Sequence, residues 1–108
     1  MMIQNFDNVI LENLGFEPLE FDRDYFQWTY QFKKNNLKLD FTYSIDKIIS
    51  TYLYFNEILI ASNFASGLSE LSIENNIIIA TLSTDKLYRK LKLAPYNITI
   101  KWSDEFIL

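Results

Sequence analysis

Four aromatic rings fall on alternate residues: Phe26, Trp28, Tyr30 and Phe32, with Gln27, Thr29, Gln31 and Lys33 filling the gaps. Side chains of an extended chain point to opposite faces in turn, so the stretch gathers its rings on one side and its polar groups on the other. A helix would scatter the same rings around its circumference. The pattern therefore predicts a half-buried strand of an antiparallel sheet, with indole and phenyl groups facing the core.

Lys33-Lys34-Asn35-Asn36 follows, and then Leu37, Leu39, Phe41 and Tyr43 alternate again. Asn tolerates positive φ, so this reads as a hairpin. A two-residue turn at Asn35-Asn36 pairs Phe32 with Leu39, Tyr30 with Phe41 and Trp28 with Tyr43, and sets Lys33 against Lys38. A four-residue loop shifts the register by two and removes that like-charge pair. Both registers keep the rings on one face.

Ahead of the hairpin, Ile3, Phe6, Val9, Ile10 and Leu14 recur at helical spacing, with Asp7 and Glu12 on the wet side and Gly15 at the C′ position. Phe16, Leu19 and Phe21 lead into the first strand past Pro18. Beyond the hairpin, Asp46-Lys47 marks a turn into a strand over 48–55 that is apolar on both faces, with Ile49, Leu53 and Phe55 on one and Tyr52 and Tyr54 on the other. Such a strand is expected to be central, its second face covered by a helix or a partner. Asn56-Glu57 reads as a turn into a strand over 58–62, the alternative being one long strand running straight through, and residues 63–69 read as a loop. Strands over 71–73 and 77–82 join through Asn75-Asn76. Ser83 or Thr84 caps a short helix over 85–93, with Leu87, Tyr88 and Leu91 on its dry side. Tyr96, Ile98, Ile100 and Trp102 alternate in a closing strand, and the apolar tail over 104–108 docks. The expected fold is α+β in a single domain, residues 1–108. An N-terminal helix precedes a mostly antiparallel meander sheet of five to seven strands, with a short C-terminal helix and a closing strand. The helices cover one sheet face.

The chain has 108 residues, 49% of them hydrophobic, which is enough for a core without covalent staples. It contains no Cys and no His, which excludes disulfides, Cys/His zinc sites and Ser-His-Asp or Cys-His catalysis. Two glycines cannot build a phosphate-binding glycine loop. Ser66 before Gly67 lacks a nucleophile-elbow context. A net charge of −4 opposes attraction to nucleic acid and anionic lipid. No apolar run reaches the roughly 18 residues that cross a bilayer, and no secretory signal is visible, so Asn97-Ile98-Thr99 carries no glycosylation message. A reducing cytoplasm fits the Cys-free composition.

Carboxylates remain. Glu20, Asp22 and Asp24 lie two apart, so a strand would align them on one face, with Glu17 before them and Tyr25 after. Three readings compete: an acidic edge that discourages aggregation, a docking surface for a basic partner, and a metal or acid–base site. Residues 1–24 hold six acids against Arg23 alone, whereas Lys86, Arg89, Lys90 and Lys92 cluster without an acid. Tyr52 and Tyr54 form a contact surface if the second face of their strand is open. No motif marks a family. The composition favours a non-enzymatic acidic protein-binding module, of the immunity or antitoxin type, that masks a basic site on a protein partner. Its contact residues are expected to be Glu17, Glu20, Asp22, Asp24, Tyr25, Tyr52 and Tyr54. No cofactor, metal, nucleic acid or membrane is expected, and a homo-oligomer is compatible. The alternatives are an assembly protein of a virus or mobile element that self-associates through a sheet edge and, last, a carboxylate-only or metal-dependent enzyme.

Overall fold

A computed structural model describes residues 3–106. A 3-10 turn, Ile3–Asn5, opens into helix α1, Phe6–Leu14. Phe6, Ile10 and Leu14, one turn apart, are its buried face. Gly15 ends it at φ 79° and donates its N–H to the carbonyls of Ile10 and Leu11 at 3.2 and 3.0 Å. Only a residue without Cβ adopts that left-handed geometry at no steric cost.

Nine strands follow, all paired antiparallel. Strands β1 (Glu20–Asp22), β2 (Gln27–Lys34), β3 (Leu37–Ser44), β4 (Ile48–Phe55) and β5 (Ile58–Ser66) form one sheet in sequence order. Strands β6 (Leu68–Glu74), β7 (Ile77–Ser83), β8 (Leu87–Ala94) and β9 (Thr99–Phe106) form a second, also in sequence order. The two-residue turn holds between β2 and β3: Phe32 faces Leu39, Tyr30 faces Phe41, Trp28 faces Tyr43, and Lys33 faces Lys38. Asn35 (φ 55°), Asn56 and Glu57 (50° and 67°) and Asn75 and Asn76 (52° and 64°) supply the positive φ angles that short hairpins need.

Five expectations fail. The meander is two sheets with nine strands instead of one with five to seven. Residues 63–69 are not a loop: β5 continues to Ser66 and β6 begins at Leu68, so Gly67 alone turns the chain from one sheet into the other. Its φ is 88°, and a Cβ there would lie 2.6 Å from the Ser83 carbonyl oxygen. The Ser83 N–H donates to the Gly67 carbonyl and the Leu68 N–H to that of Lys47, so each sheet grips the joint. The segment over 85–93 is strand β8 and not a helix; β9 starts at Thr99 with Tyr96 and Ile98 in the preceding turn. Finally, Phe26 leaves the ladder, sitting in a turn at φ 47° and 48% exposed. The tail joins β9 as far as Phe106; Ile107 and Leu108 lie outside the described residues.

The two sheets and the helix share one core. Phe6, Ile10 and Leu14 lie in it with Trp28, Tyr30, Phe32, Leu39, Phe41 and Tyr43 of the first sheet and Leu68, Leu71, Ile78, Leu82, Leu91 and Leu93 of the second. Trp28 stacks on Tyr43 at 5.2 Å, and Phe6 meets Tyr43 edge-on at 5.8 Å. A second tie joins the far ends: Tyr96, in the β8–β9 turn, donates its hydroxyl to the Leu14 carbonyl at 2.8 Å. Phe16 lies between the rings of Tyr96 and Phe32.

Candidate partner-binding face

Residue pairing across a sheet fixes which side chains share a face. In the five-stranded sheet the ladder rings point toward α1. Their neighbours form the outer face, across which Glu20 sits beside Thr29, Thr29 beside Thr42, and Thr42 beside Ser50. One row along, Gln31 pairs with Asp40 and Asp40 with Tyr52; in the next, Lys33 pairs with Lys38 and Lys38 with Tyr54. Asp22 lies beside Gln27. Glu20, Asp22, Tyr52 and Tyr54, from distant parts of the sequence, therefore share one surface. It is acidic along β1 and aromatic along β4, with three strand spacings, about 14 Å, between them.

The middle of this face is polar and braced. Gln31 donates its side-chain amide to Asp40 at 3.0 Å, and Thr42 its hydroxyl to Thr29 at 3.2 Å. The Lys38 ammonium lies 4.4 Å from the centre of the Tyr54 ring, which leaves Tyr54 half-buried and Tyr52 39% exposed. Strand β4 lies between β3 and β5, as expected of a strand apolar on both faces, but among the described residues no helix covers this side.

The acidic stretch divides. Glu20 and Asp22 share the outer face; Asp24 lies in the following turn and does not join the row. The Asp22 carboxylate accepts the backbone N–H groups of Asp24 (2.9 Å) and Tyr25 (3.3 Å), an Asx turn that orders the loop. Tyr25 then stands 66% exposed beside the acids, and Glu17, also exposed, precedes β1.

Sequence reading missed Phe64, 68% exposed, because its segment looked like loop. It pairs with Ser50, two residues from Tyr52, on the same outer face. Spacing from Ile58 and Ile60 would not have placed it, because the bulge opposite Leu53 and Tyr54 breaks the alternation between them. The basic cluster also changes meaning. Alternation along β8 sends Lys90 and Lys92 to the outer face of the second sheet, opposite Ser103 and Lys101, while Arg89 turns inward. Arg89 pairs with Asp104 at 2.7 Å, its guanidinium 4.6 Å from the centre of the Trp102 ring.

Among the described residues no group of three His, Cys, Asp or Glu side chains could hold a metal ion, and no helix is long and apolar enough to cross a membrane. An open depression of about 450 Å³ at the hairpin tips is lined by Lys33, Lys38, Asn36 and Glu57 among others. The perturbed groups are in the core. Burial pushes the Tyr30 phenol up to about 12, with the adjacent Tyr43 hydroxyl pulling the other way and Asp7 adding to the rise. Burial raises Tyr43 further, and Tyr30 and Asp7 act in the same direction.

No protein-family model matches the chain, and no curated protein matches it. A solved structure does. The chain is similar to one from a contact-dependent growth inhibition toxin–immunity protein complex of Klebsiella pneumoniae 342. The TM-score is 0.79 and the identity 26%, over 92% of this chain and 93% of that one. Coverage this broad includes both sheets, so the likeness concerns the whole arrangement.

Proposed function

We propose that this chain is the immunity member of such a toxin–immunity pair, a non-enzymatic inhibitor that binds a bacterial toxin domain in the cytoplasm and occludes its working surface. The observation that carries the proposal is the likeness to the growth-inhibition complex across nearly the whole chain. Between the two members of the pair, the composition favours the inhibitor: a chain with no His or Cys cannot build Ser-His or Cys-His catalysis or use a histidine base.

The outer face of the five-stranded sheet is the docking surface in this reading. Glu20 and Asp22, with Glu17 and Asp24 near them, attract a basic toxin surface and speed encounter. Tyr25, Tyr52 and Tyr54 supply aromatic anchors that become buried in the complex. The braced polar middle presents both groups on a rigid platform, so little ordering entropy is lost on binding.

The test is growth. Cells expressing the toxic domain encoded next to this chain should survive when the chain is co-expressed. They should die when it carries Glu20→Lys with Asp22→Asn, which removes both negative charges but keeps the Asx-turn acceptor, although the variant accumulates to the same level. Absence of a toxic neighbouring reading frame, or death despite the wild-type chain, contradicts the proposal.

A further inference from the structure

Exposed sheet edges are normally guarded by shortness, charge or irregularity, because their unpaired N–H and C=O groups invite another strand. Three of the four edge strands here follow that rule. β1 has three residues, two of them acidic. β6 carries Glu70 and Glu74, and β9 carries Lys101, Asp104 and Glu105. β5 does not follow it. Its nine residues, Ile-Leu-Ile-Ala-Ser-Asn-Phe-Ala-Ser, include no charge and no proline. Ile58 is 67% exposed and Ile60 56%. Among the described residues, its backbone makes no hydrogen bond beyond its own sheet. One bulge, opposite Leu53 and Tyr54, interrupts the strand near its start and leaves a regular ladder from Ala61 to Ser66.

We propose that β5 is an interface between two copies of this chain, paired antiparallel on a two-fold axis so that two five-stranded sheets become one continuous sheet. Symmetry supplies the argument for a second copy. A two-fold axis brings each edge against itself, so an edge bearing acids meets the same acids. At −4 per chain that repulsion matters at β1 and β6, whose charges are all acidic, and it is absent at β5; β9 is interrupted by charges of both signs. Antiparallel pairing also carries the turn at Glu57 of one copy toward the Ser66 end of the other. The Ser66 end adjoins Asp46 and Lys47 through the Ile48–Ser66 pair, both exposed and of opposite sign, so no net like charge opposes the approach of Glu57. The neutral strand and the exposed apolar side chains suit self-pairing. The acidic β1 edges stay at the two outer ends of the joined sheet, free for a different partner. The proposal is independent of the toxin-binding reading.

Sedimentation of the purified chain tests it. The wild type should approach twice 12.9 kDa with rising concentration. Phe64→Lys and Phe64→Glu should each stay monomeric with an unchanged circular dichroism spectrum, dimerising about tenfold more weakly or worse because like charges then meet. An equal mixture of the two variants should recover the dimer. Phe106→Lys, an equally exposed change on the β9 edge, should leave the dimer intact. A wild-type chain that is monomeric at every soluble concentration overturns the proposal. So does a Phe64→Lys chain that still dimerises. A monomeric wild type whose binding to the toxin domain is lost on Phe64→Lys would give the edge to a toxin strand instead, and overturns it too.

Discussion

The two faces of the five-stranded sheet are both aromatic, yet one is core and the other surface. Trp28, Tyr30, Phe32, Leu39, Phe41 and Tyr43 point inward and are all but inaccessible, whereas Tyr52, Tyr54 and Phe64 point outward and stay wet to differing degrees. Ring content does not separate them. What separates them is a second layer: α1 and the four-stranded sheet close over the inner face, and nothing among the described residues closes over the outer one. Alternation thus tells which side chains travel together. It does not tell which side is covered, and an aromatic row left uncovered is a candidate contact surface.

Changing rings on each face should widen this contrast. The largest effect belongs to Trp28→Ala, which removes a 5%-exposed ring stacked on Tyr43 and should cost about 3–5 kcal/mol in chemical denaturation. Next, Tyr52→Ala with Tyr54→Ala should weaken binding of the toxin domain by about 2 kcal/mol or more while lowering stability by less than about 1 kcal/mol. A stability loss comparable to that of Trp28→Ala would mean that the outer face is core after all. The buried phenols make the inner face sensitive to alkali. Because burial raises the Tyr30 phenol from 10.0 to about 12, the fold keeps its full stability below pH 10 and loses it as the pH climbs through about 12. Neither the Tyr30 nor the Tyr43 hydroxyl has a hydrogen-bond partner among the described residues. Tyr43→Phe should therefore be stabilising by up to about 1 kcal/mol at neutral pH and should shift alkaline unfolding to higher pH. The smallest effect is at Gln27→Ala, on the outer face beside Trp28, expected below about 0.5 kcal/mol.

The hairpin of β2 and β3 was legible because every local signal agreed: period-two rings, polar residues between them, and Asn at the turn. The same holds for α1, where apolar spacing and Gly15 coincide. The failure at β8 is instructive. Leu87, Tyr88 and Leu91 fit a helix, and Thr84 looked like its cap. Leu87, Leu91 and Leu93 fit a strand equally well, provided Arg89 can point inward. In the strand Arg89 shares the inward side with Leu91 and Leu93, and Asp104 and Trp102 of the neighbouring strand receive its guanidinium. Partners that far along the chain leave no trace in a local pattern. The division into two sheets was hidden for a related reason: a single residue, Gly67, makes the joint, and its need for positive φ comes from the close approach of Ser83. Of the site, Glu20, Asp22, Tyr52 and Tyr54 were picked out by residue type, but their common face depends on the order of strands β1 to β4. Phe64 was lost with the strand that carries it.

The claim on which this account rests is that the open face of the five-stranded sheet, from the acids of β1 to the tyrosines of β4, and not the second sheet, receives the toxin. Calorimetric titration of the neighbouring toxin domain into the wild-type chain and into Glu20→Lys with Asp22→Asn tests it most directly, because Glu20 is on the surface and an asparagine in place of Asp22 keeps the Oδ1 acceptor of the Asx turn while losing the charge. The prediction is a dissociation constant raised about tenfold or more, with a flatter salt dependence and an unchanged melting temperature. Equal affinities with the same salt dependence would contradict it.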